Sequence, residues 1–299
     1  MARSSLGAIA LTLAAGWVQA GPIHDAAGAG DVAEVRRLIA EGADINEIER
    51  VGGMPLHAAA LKGQLEVAEV LIAEGASIDE PAGILRATPL HMAAIGGNRD
   101  VAALLLAKGA DINAHDATLI TPLHWAAESG NMAVAELLIA SGADLNARNQ
   151  NNTTAIDKAG WEGHFDIVDL LVASGFTAPP VEPITGLLHD ADPETGRELF
   201  IQCRQCHTIA KAGADEGGPN LWGVLERDKA GSSTFDRYCG AFARLKGAWS
   251  YEELNAFLAS PADYVPGTRM GPTNLDPTER AAVIVYLRAN GDEPPPLPE

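Results

Sequence analysis

A repeated unit of about 33 residues constrains the fold of this chain more than any other feature. A short motif containing leucine, histidine and two alanines occurs in segments 54–59, 88–94 and 121–127, at steps of 34 and 33 residues. Glycines recur at the same step further along each unit: Gly42, Gly75, Gly109, Gly142 and Gly175. A fixed period of this length predicts a solenoid in which each unit packs on its neighbours.

The residues within each unit predict two short helices and a turn. Thr88 and Thr121 precede prolines, a pairing that suits a helix start, and each recurring glycine suits a helix end with positive φ. The T-P-L-H-x-A-A motif at this period resembles the ankyrin repeat. The resemblance implies an all-α solenoid of helix–turn–helix repeats with short hairpin loops. About five repeats fit residues 21–178, and the two end repeats are atypical.

Three histidines, His57, His91 and His124, recur in these motifs. No cysteine or further histidine clusters with them, which argues against a metal site. The resemblance implies that they form structural hydrogen bonds between adjacent repeats. It also implies that the concave groove and the loop tips bind a protein partner, with His115, Trp125 and Trp161 as candidate contacts, although both tryptophans also suit packing positions.

The second half of the chain contains the pentapeptide Cys203-Arg204-Gln205-Cys206-His207. A C-x-x-C-H sequence is the signature of covalent c-type haem attachment, because two thiols can form thioethers with one porphyrin while the histidine ligates its iron. A thioredoxin-like site would need a surrounding βαβ pattern, which is absent. A zinc knuckle would need four converging ligands.

Further motifs follow the pentapeptide at intervals. They are Gly218-Pro219-Asn220-Leu221, Tyr264-Val265-Pro266-Gly267-Thr268-Arg269-Met270 and Asp276-Pro277-Thr278-Glu279-Arg280. In this order they resemble a class I c-type cytochrome over about residues 190–290. The resemblance implies a small helical domain with one covalently bound haem c, which acts as an electron carrier rather than as an enzyme.

The resemblance also implies the residues of the haem site. Cys203 and Cys206 would hold the haem covalently, and His207 and Met270 would ligate the iron. Met270 also follows by elimination, since the other four methionines lie at the N-terminus or in the repeats. The supporting residues would be Pro219 as hydrogen-bond acceptor for His207, then Arg227, Tyr238 and Trp249 near a propionate, and Tyr264 and Thr268 in the pocket.

The domain boundary falls where the repeats end. A proline-rich segment follows the fifth repeat and predicts a semi-rigid linker over residues 179–189, with the cytochrome domain and a proline-rich tail over residues 190–299. Cys239 is the third cysteine. It suits either a buried apolar position or a disulfide to another chain.

Residues 1–20 predict a signal peptide. Arg3 precedes an apolar stretch, and the cleavage pattern ends near Ala20. This predicts a periplasmic protein, and the apolar stretch is too short for a stable membrane span. The net charge of −19 excludes nucleic acid as a natural partner and favours redox partners with a basic docking patch.

These features together predict an exported mono-haem electron carrier with a protein-docking array. Two alternatives remain open: an electron-accepting subunit of a periplasmic oxidoreductase, and a haem-based redox sensor. A catalytic haem or a sensor needs an iron position that is open or can open, so the state of Met270 distinguishes them.

Overall fold

The computed structural model describes residues 21–299 except 50–51, 179, 233–244, 266–267, 269 and 271–272. The chain divides after Thr177 into a repeat unit and a second unit that begins at Ala178. The described residues form helices and three isolated β-bridges, with no strand among them. The all-α prediction is therefore confirmed.

The repeat unit consists of helix pairs, one pair for each predicted repeat. The helices are α1 (Pro22–Ala29), α2 (Val32–Ala40), α3 (Pro55–Lys62), α4 (Leu65–Ala73), α5 (Pro89–Gly96), α6 (Arg99–Ala107), α7 (Pro122–Glu128), α8 (Met132–Ala140), α9 (Ala155–Glu162) and α10 (Phe165–Ala173). One continuous apolar core runs through all five pairs, rich in alanine where helices approach closely. This is the nearest-neighbour packing expected of a solenoid.

The repeated histidines tie each repeat to the next. Within its own repeat, Nδ1 of His91 accepts hydrogen bonds from the backbone N–H and the hydroxyl of Thr88 (3.2 and 2.9 Å). Its Nε2–H donates to the carbonyl of Ile120 in the following repeat at 2.9 Å. His57 and His124 bond in the same way to Ala87 and Thr153. The structural role predicted for these histidines is confirmed.

In the two end repeats, other residues form the hydrogen bonds that the motif histidines form in the interior repeats. In the first repeat, buried His24 points Nε2 at the carbonyls of Glu47 and Gly53, both at 3.0 Å, although the sequence motif is missing there. In the fifth repeat, Asp157 accepts the backbone N–H of Thr154 at 2.8 Å and so replaces the histidine as a helix cap. Both ends are atypical, as predicted.

The second unit packs its first helix against its last. The helices among its described residues are α11 (Pro193–Leu199), α12 (Tyr251–Ala259), α13 (Pro261–Tyr264) and α14 (Pro277–Ala289), with 3₁₀ turns at Thr185–Leu187 and Phe200–Gln205. The side chains of Asp192 and Asp276 cap α11 and α14 by accepting backbone N–H groups of the first turn. At the crossing, a β-carbon on Gly196 would overlap the carbonyl of Ala282 in α14, so only glycine permits this approach.

The proline-rich segment is not a free linker over its whole predicted length. Ile184 and Leu188 are buried in the core of the second unit. The carboxylate of Glu252 accepts the backbone N–H groups of Ile184 and Thr185 at 3.0 and 2.8 Å. The part of residues 179–189 that includes these side chains therefore belongs to the second unit, because burying them outweighs the extended preference of the nearby prolines.

The proline-rich tail returns across the same unit. The hydroxyl of Tyr251 and Nε of Arg288 both donate to the carbonyl of Pro295, each at 2.8 Å. Nε2 of His189 donates to the carbonyl of Pro298 at 2.8 Å. The tail thus links the start of the unit, α12 and α14.

Candidate functional site

The C-x-x-C-H peptide lies directly after α11. The chain continues from that helix into the 3₁₀ turn Phe200–Gln205, and the backbone N–H of His207 bonds to the carbonyl of Cys203 at 2.9 Å. Both thiols are free, with Cys203 half-buried and Cys206 exposed. Burial raises the pKa of the Cys203 thiol. The peptide therefore presents two unpaired thiols from one tight turn.

The ring of His207 is held in one tautomer. Its Nδ1–H donates to the carbonyl of Pro219 at 2.8 Å, which leaves the Nε2 lone pair available to a metal. Burial lowers the pKa of His207, which favours the neutral, ligating form. The backbone of Gly218 lies so close that an added β-carbon would overlap the imidazole. These contacts fix the plane of the ring.

Met270 and Cys203 border the same apolar core in the second unit. Met270 is half-buried, and its backbone N–H donates to the hydroxyl of buried Thr268 at 3.3 Å. The turn that carries Met270 includes residues outside the described part of the chain. A thioether and an imidazole are the donor set of a His/Met haem.

Two of the predicted propionate residues lie opposite each other. An antiparallel bridge pairs Asp228 with Ala248, which places Arg227 across from Trp249 in register. The guanidinium of Arg227 donates to the backbone carbonyls of Asn220 and Trp222. Sequence spacing alone does not show this pairing.

Trp249 is surrounded by aromatic rings. It is buried, with ring centroids of Phe257 at 5.3 Å and Tyr264 at 5.8 Å. Burial, followed by the charge of the neighbouring Glu253 carboxylate, raises the pKa of Tyr264. The predicted site residue Tyr238 lies outside the described residues, as does Cys239.

The sequence reasoning missed one buried cation beside this tryptophan. Lys229 is 8% exposed, and its Nζ lies 2.9 Å from a carboxylate oxygen of Glu253 and 5.6 Å from the ring centroid of Trp249. Burial acts to raise the pKa of Glu253, but hydrogen bonds from Ser250 and Lys229 bring it to about 2. A lysine in a polar loop gives no sequence signal of burial.

The residues present fit a covalently bound haem. Two free thiols, a neutral imidazole with its second nitrogen anchored, and one thioether are the ligands that such a group requires. Among the described residues, no group of three or more histidine, cysteine, aspartate or glutamate side chains is arranged to hold a metal ion. The motif histidines His57, His91 and His124 are hydrogen-bonded to carbonyls of the following repeat.

The repeat unit presents exposed apolar side chains at its loop tips. Ile84 and Leu119 are 65% and 49% exposed, and a backbone hydrogen bond from Ala117 to Leu85 (2.8 Å) joins their two loops. Trp161 is 44% exposed, whereas Trp125 is 1% exposed and therefore a packing residue. His115 is also exposed.

Comparison with known families agrees with this division. Residues 23–116 match ankyrin repeats in three copies, and residues 123–172 match ankyrin repeats in many copies. Residues 193–290 match the family described as cytochrome c. Of the helices in the described ranges, none has the length and hydropathy needed to cross a membrane.

Individual relatives match part of this chain. A protein named cytochrome c homolog from Bradyrhizobium diazoefficiens is 37% identical over 39% of this chain and 64% of its own length. A cytochrome c homolog from Rickettsia prowazekii is 39% identical over 35% of this chain and 60% of its own length. The cytochrome c of Theileria annulata is 40% identical over 33% of this chain and 86% of its own length. The chain thus spans less than two thirds of the first two relatives.

Proposed function

We propose that this chain, which belongs to the cytochrome c family through residues 193–290 and carries ankyrin repeats before those residues, is an exported one-electron carrier. We also propose that its repeats dock a protein partner. Family membership implies a covalently bound c-type haem and an electron-carrier role. When bound, the haem supplies reversible exchange between Fe(III) and Fe(II). The protein's part is to hold, orient and shield it.

The geometry around His207 supports its role as the first axial ligand. The Pro219 carbonyl takes the Nδ1 proton, so Nε2 is the nitrogen left to ligate. Cys203 and Cys206 occupy the same turn and supply the thioether sulfurs. This anchored imidazole beside two free thiols is the observation that carries the proposal.

Met270 is proposed as the second axial ligand. It is placed against the core that Cys203 also borders, and a His/Met pair closes both axial positions and raises the reduction potential. A closed iron suits electron transfer, whereas a peroxidase or a ligand-gas sensor needs an open position.

Substitution of Met270 tests this assignment. In the haem-loaded full chain, Met270→Ala should abolish the far-red charge-transfer band that marks methionine–iron ligation in this family and should lower the reduction potential. Met132→Ala removes a half-buried thioether from the repeat unit and serves as the matched control, since it should change neither. An unchanged band and potential in Met270→Ala would contradict the assignment.

Export is proposed from residues 1–20. Support comes from Gly21, whose backbone nitrogen contacts the carboxylate of Glu49, so that a free α-ammonium created by cleavage before Gly21 would gain an ion-pair partner. N-terminal sequencing of the periplasmic protein should start at or next to Gly21. A product that retains Met1 and stays with the cytoplasmic fraction would refute export.

Partner docking is proposed for the loop tips and groove of the repeats. The joined tips that carry Ile84 and Leu119 expose apolar side chains, and residues 21–180 contain 22 acidic and 9 basic residues. Such a surface favours a partner with apolar anchors and a basic rim. Paired Ile84→Asp and Leu119→Asp substitutions should weaken capture of the redox partner by the full chain, and unaltered capture would exclude these tips.

A further inference from the structure

We propose that Lys229 is a positioning residue of the haem pocket. Its buried ammonium holds Arg227 and Trp249 in register, and together with Glu253 it sets the electrostatic balance that the haem experiences. This inference rests on the proposed function.

Three hydrogen bonds of Lys229 go to the segment that leads to Trp249. Its backbone N–H donates to the carbonyl of Gly247 at 2.9 Å. Its Nζ donates to the carbonyls of Ala248 at 3.1 Å and Lys246 at 3.3 Å. The one side chain therefore donates to two carbonyls of the short loop that leads to Trp249.

The same contacts place Arg227 opposite Trp249. The Asp228–Ala248 bridge and the Lys229–Gly247 hydrogen bond share one antiparallel register, and extending that register by one residue pairs Arg227 with Trp249. Arg227 and Trp249, two of the three residues implied to face a haem propionate, therefore lie on the two segments that Lys229 joins. Lys229 also lies over the indole ring, 5.6 Å from its centroid, which favours one ring position through cation–π attraction.

The charge of Lys229 is unusually buried for an ion pair. With 6% of its side chain exposed, Lys229 is far more buried than the cation of the Lys211–Asp292 pair, whose two side chains are 66% and 55% exposed. Burying a charged pair seldom stabilises a fold more than apolar packing would. A buried lysine at this position is better explained by its effect on the pocket than by stability.

The effect of Lys229 on the reduction potential of the haem has a definite sign. Reduction of the haem iron removes one positive charge, so a neighbouring buried cation favours the reduced state and a neighbouring carboxylate favours the oxidised state. Lys229 and Glu253 therefore act in opposite directions on the reduction potential, although they form one ion pair.

The test is the reduction potential of the haem-loaded full chain, measured by spectroelectrochemistry in four variants. Lys229→Met should lower the equilibrium constant for reduction at least about threefold, which is about 28 mV for a one-electron couple in which tenfold is 59 mV. Glu253→Gln should raise it. Lys229→Arg should stay near the wild type, and the double variant Lys229→Met/Glu253→Gln should lie between the two single changes.

Lys211→Met is the matched control, because it removes an exposed lysine from an exposed ion pair and should leave the potential unchanged. Equal potentials in wild type, Lys229→Met and Glu253→Gln would overturn the inference. Shifts of both single variants in the same direction would also overturn it, because they would indicate a purely structural ion pair. If Lys229→Met does not retain haem, Glu253→Gln still tests the sign, because it should raise the potential while Lys229→Arg leaves it near the wild-type value. A wild-type protein without covalent haem would instead refute the proposed function.

Discussion

Acidification should destabilise the repeat unit through its three buried motif histidines. His57, His91 and His124 each have a pKa lowered to about 4, chiefly because burial disfavours the charged imidazolium. In each ring Nδ1 accepts a hydrogen bond within its own repeat, so a proton added there would break that cap as well as charge the core.

The sign and size of this destabilisation follow from the difference between the pKa of histidine in the unfolded chain and in the folded repeats. An unfolded histidine titrates near 6.5, so at pH values between about 6.5 and 4 the unfolded chain binds more protons than the folded one. The stability that the neutral rings contribute is complete above pH 6.5 and is lost as the pH falls towards 4. At pH 5 the loss is about 2 kcal/mol for each ring, or about 6 kcal/mol for the three, at about 1.4 kcal/mol for each pKa unit. That is comparable to the whole stability of many domains.

Urea unfolding of the full chain at pH 7 and pH 5 measures this loss. Pulse-labelling hydrogen exchange read by mass spectrometry reports the peptides of the repeats separately from the rest of the chain. His124→Gln should remove about one third of the pH dependence, because one of three titrating rings is gone. His115→Gln is the control, since this histidine is exposed and should leave the dependence intact.

Two results would refute the reasoning. The first is an unfolding midpoint for the repeat peptides that is the same at pH 5 and pH 7. The second is a His124→Gln variant that keeps the full pH dependence. Either result would mean that the buried rings take up protons without cost to the array.

Two further substitutions probe the second unit. Gly196→Ala should destabilise the second unit by about 1–3 kcal/mol in urea titrations, because the new methyl group overlaps Ala282 and the cost of overpacking exceeds the helix-propensity gain of about 1 kcal/mol. Gly186→Ala is the control and should be nearly neutral, because its methyl group meets open space. Equal unfolding midpoints for the two variants would contradict the packing argument. Gly218→Ala should tilt the ring of His207 and reduce the covalently retained haem per chain, measured from the pyridine haemochrome spectrum, and full haem retention with unaltered axial ligation would count against a fixed ring plane.

Periodic features were predictable from the sequence. The repeats follow from one motif because the same residues that begin each inner helix also bond to the next repeat, so local and long-range signals coincide. His24 shows the limit of this reasoning. It performs the inter-repeat role without the surrounding motif, and only its burial and its contacts with the Glu47 and Gly53 carbonyls reveal it.

In the second unit, the candidate site residues could be predicted from the sequence where they lie within short motifs. The C-x-x-C-H peptide identified the thiols and His207 directly, since all three lie within five residues. The linker prediction was too long because composition does not show which surface covers Ile184. Lys229 was missed for a related reason: its environment is made by Glu253 and residues 246–249, which are distant in sequence.

The hydrogen bonds that the motif histidines and Asn98 form between repeats each connect neighbouring repeats. This arrangement affects how the array can change in length. His57, His91 and His124 reach partners 29 or 30 positions ahead, and the side chain of Asn98 reaches back 37 or 38 positions to the preceding repeat. A tandem duplication of one interior copy would therefore regenerate every tie at its new junctions. Evolution can lengthen or shorten the array by whole copies without redesigning it, whereas the first and last copies must be kept.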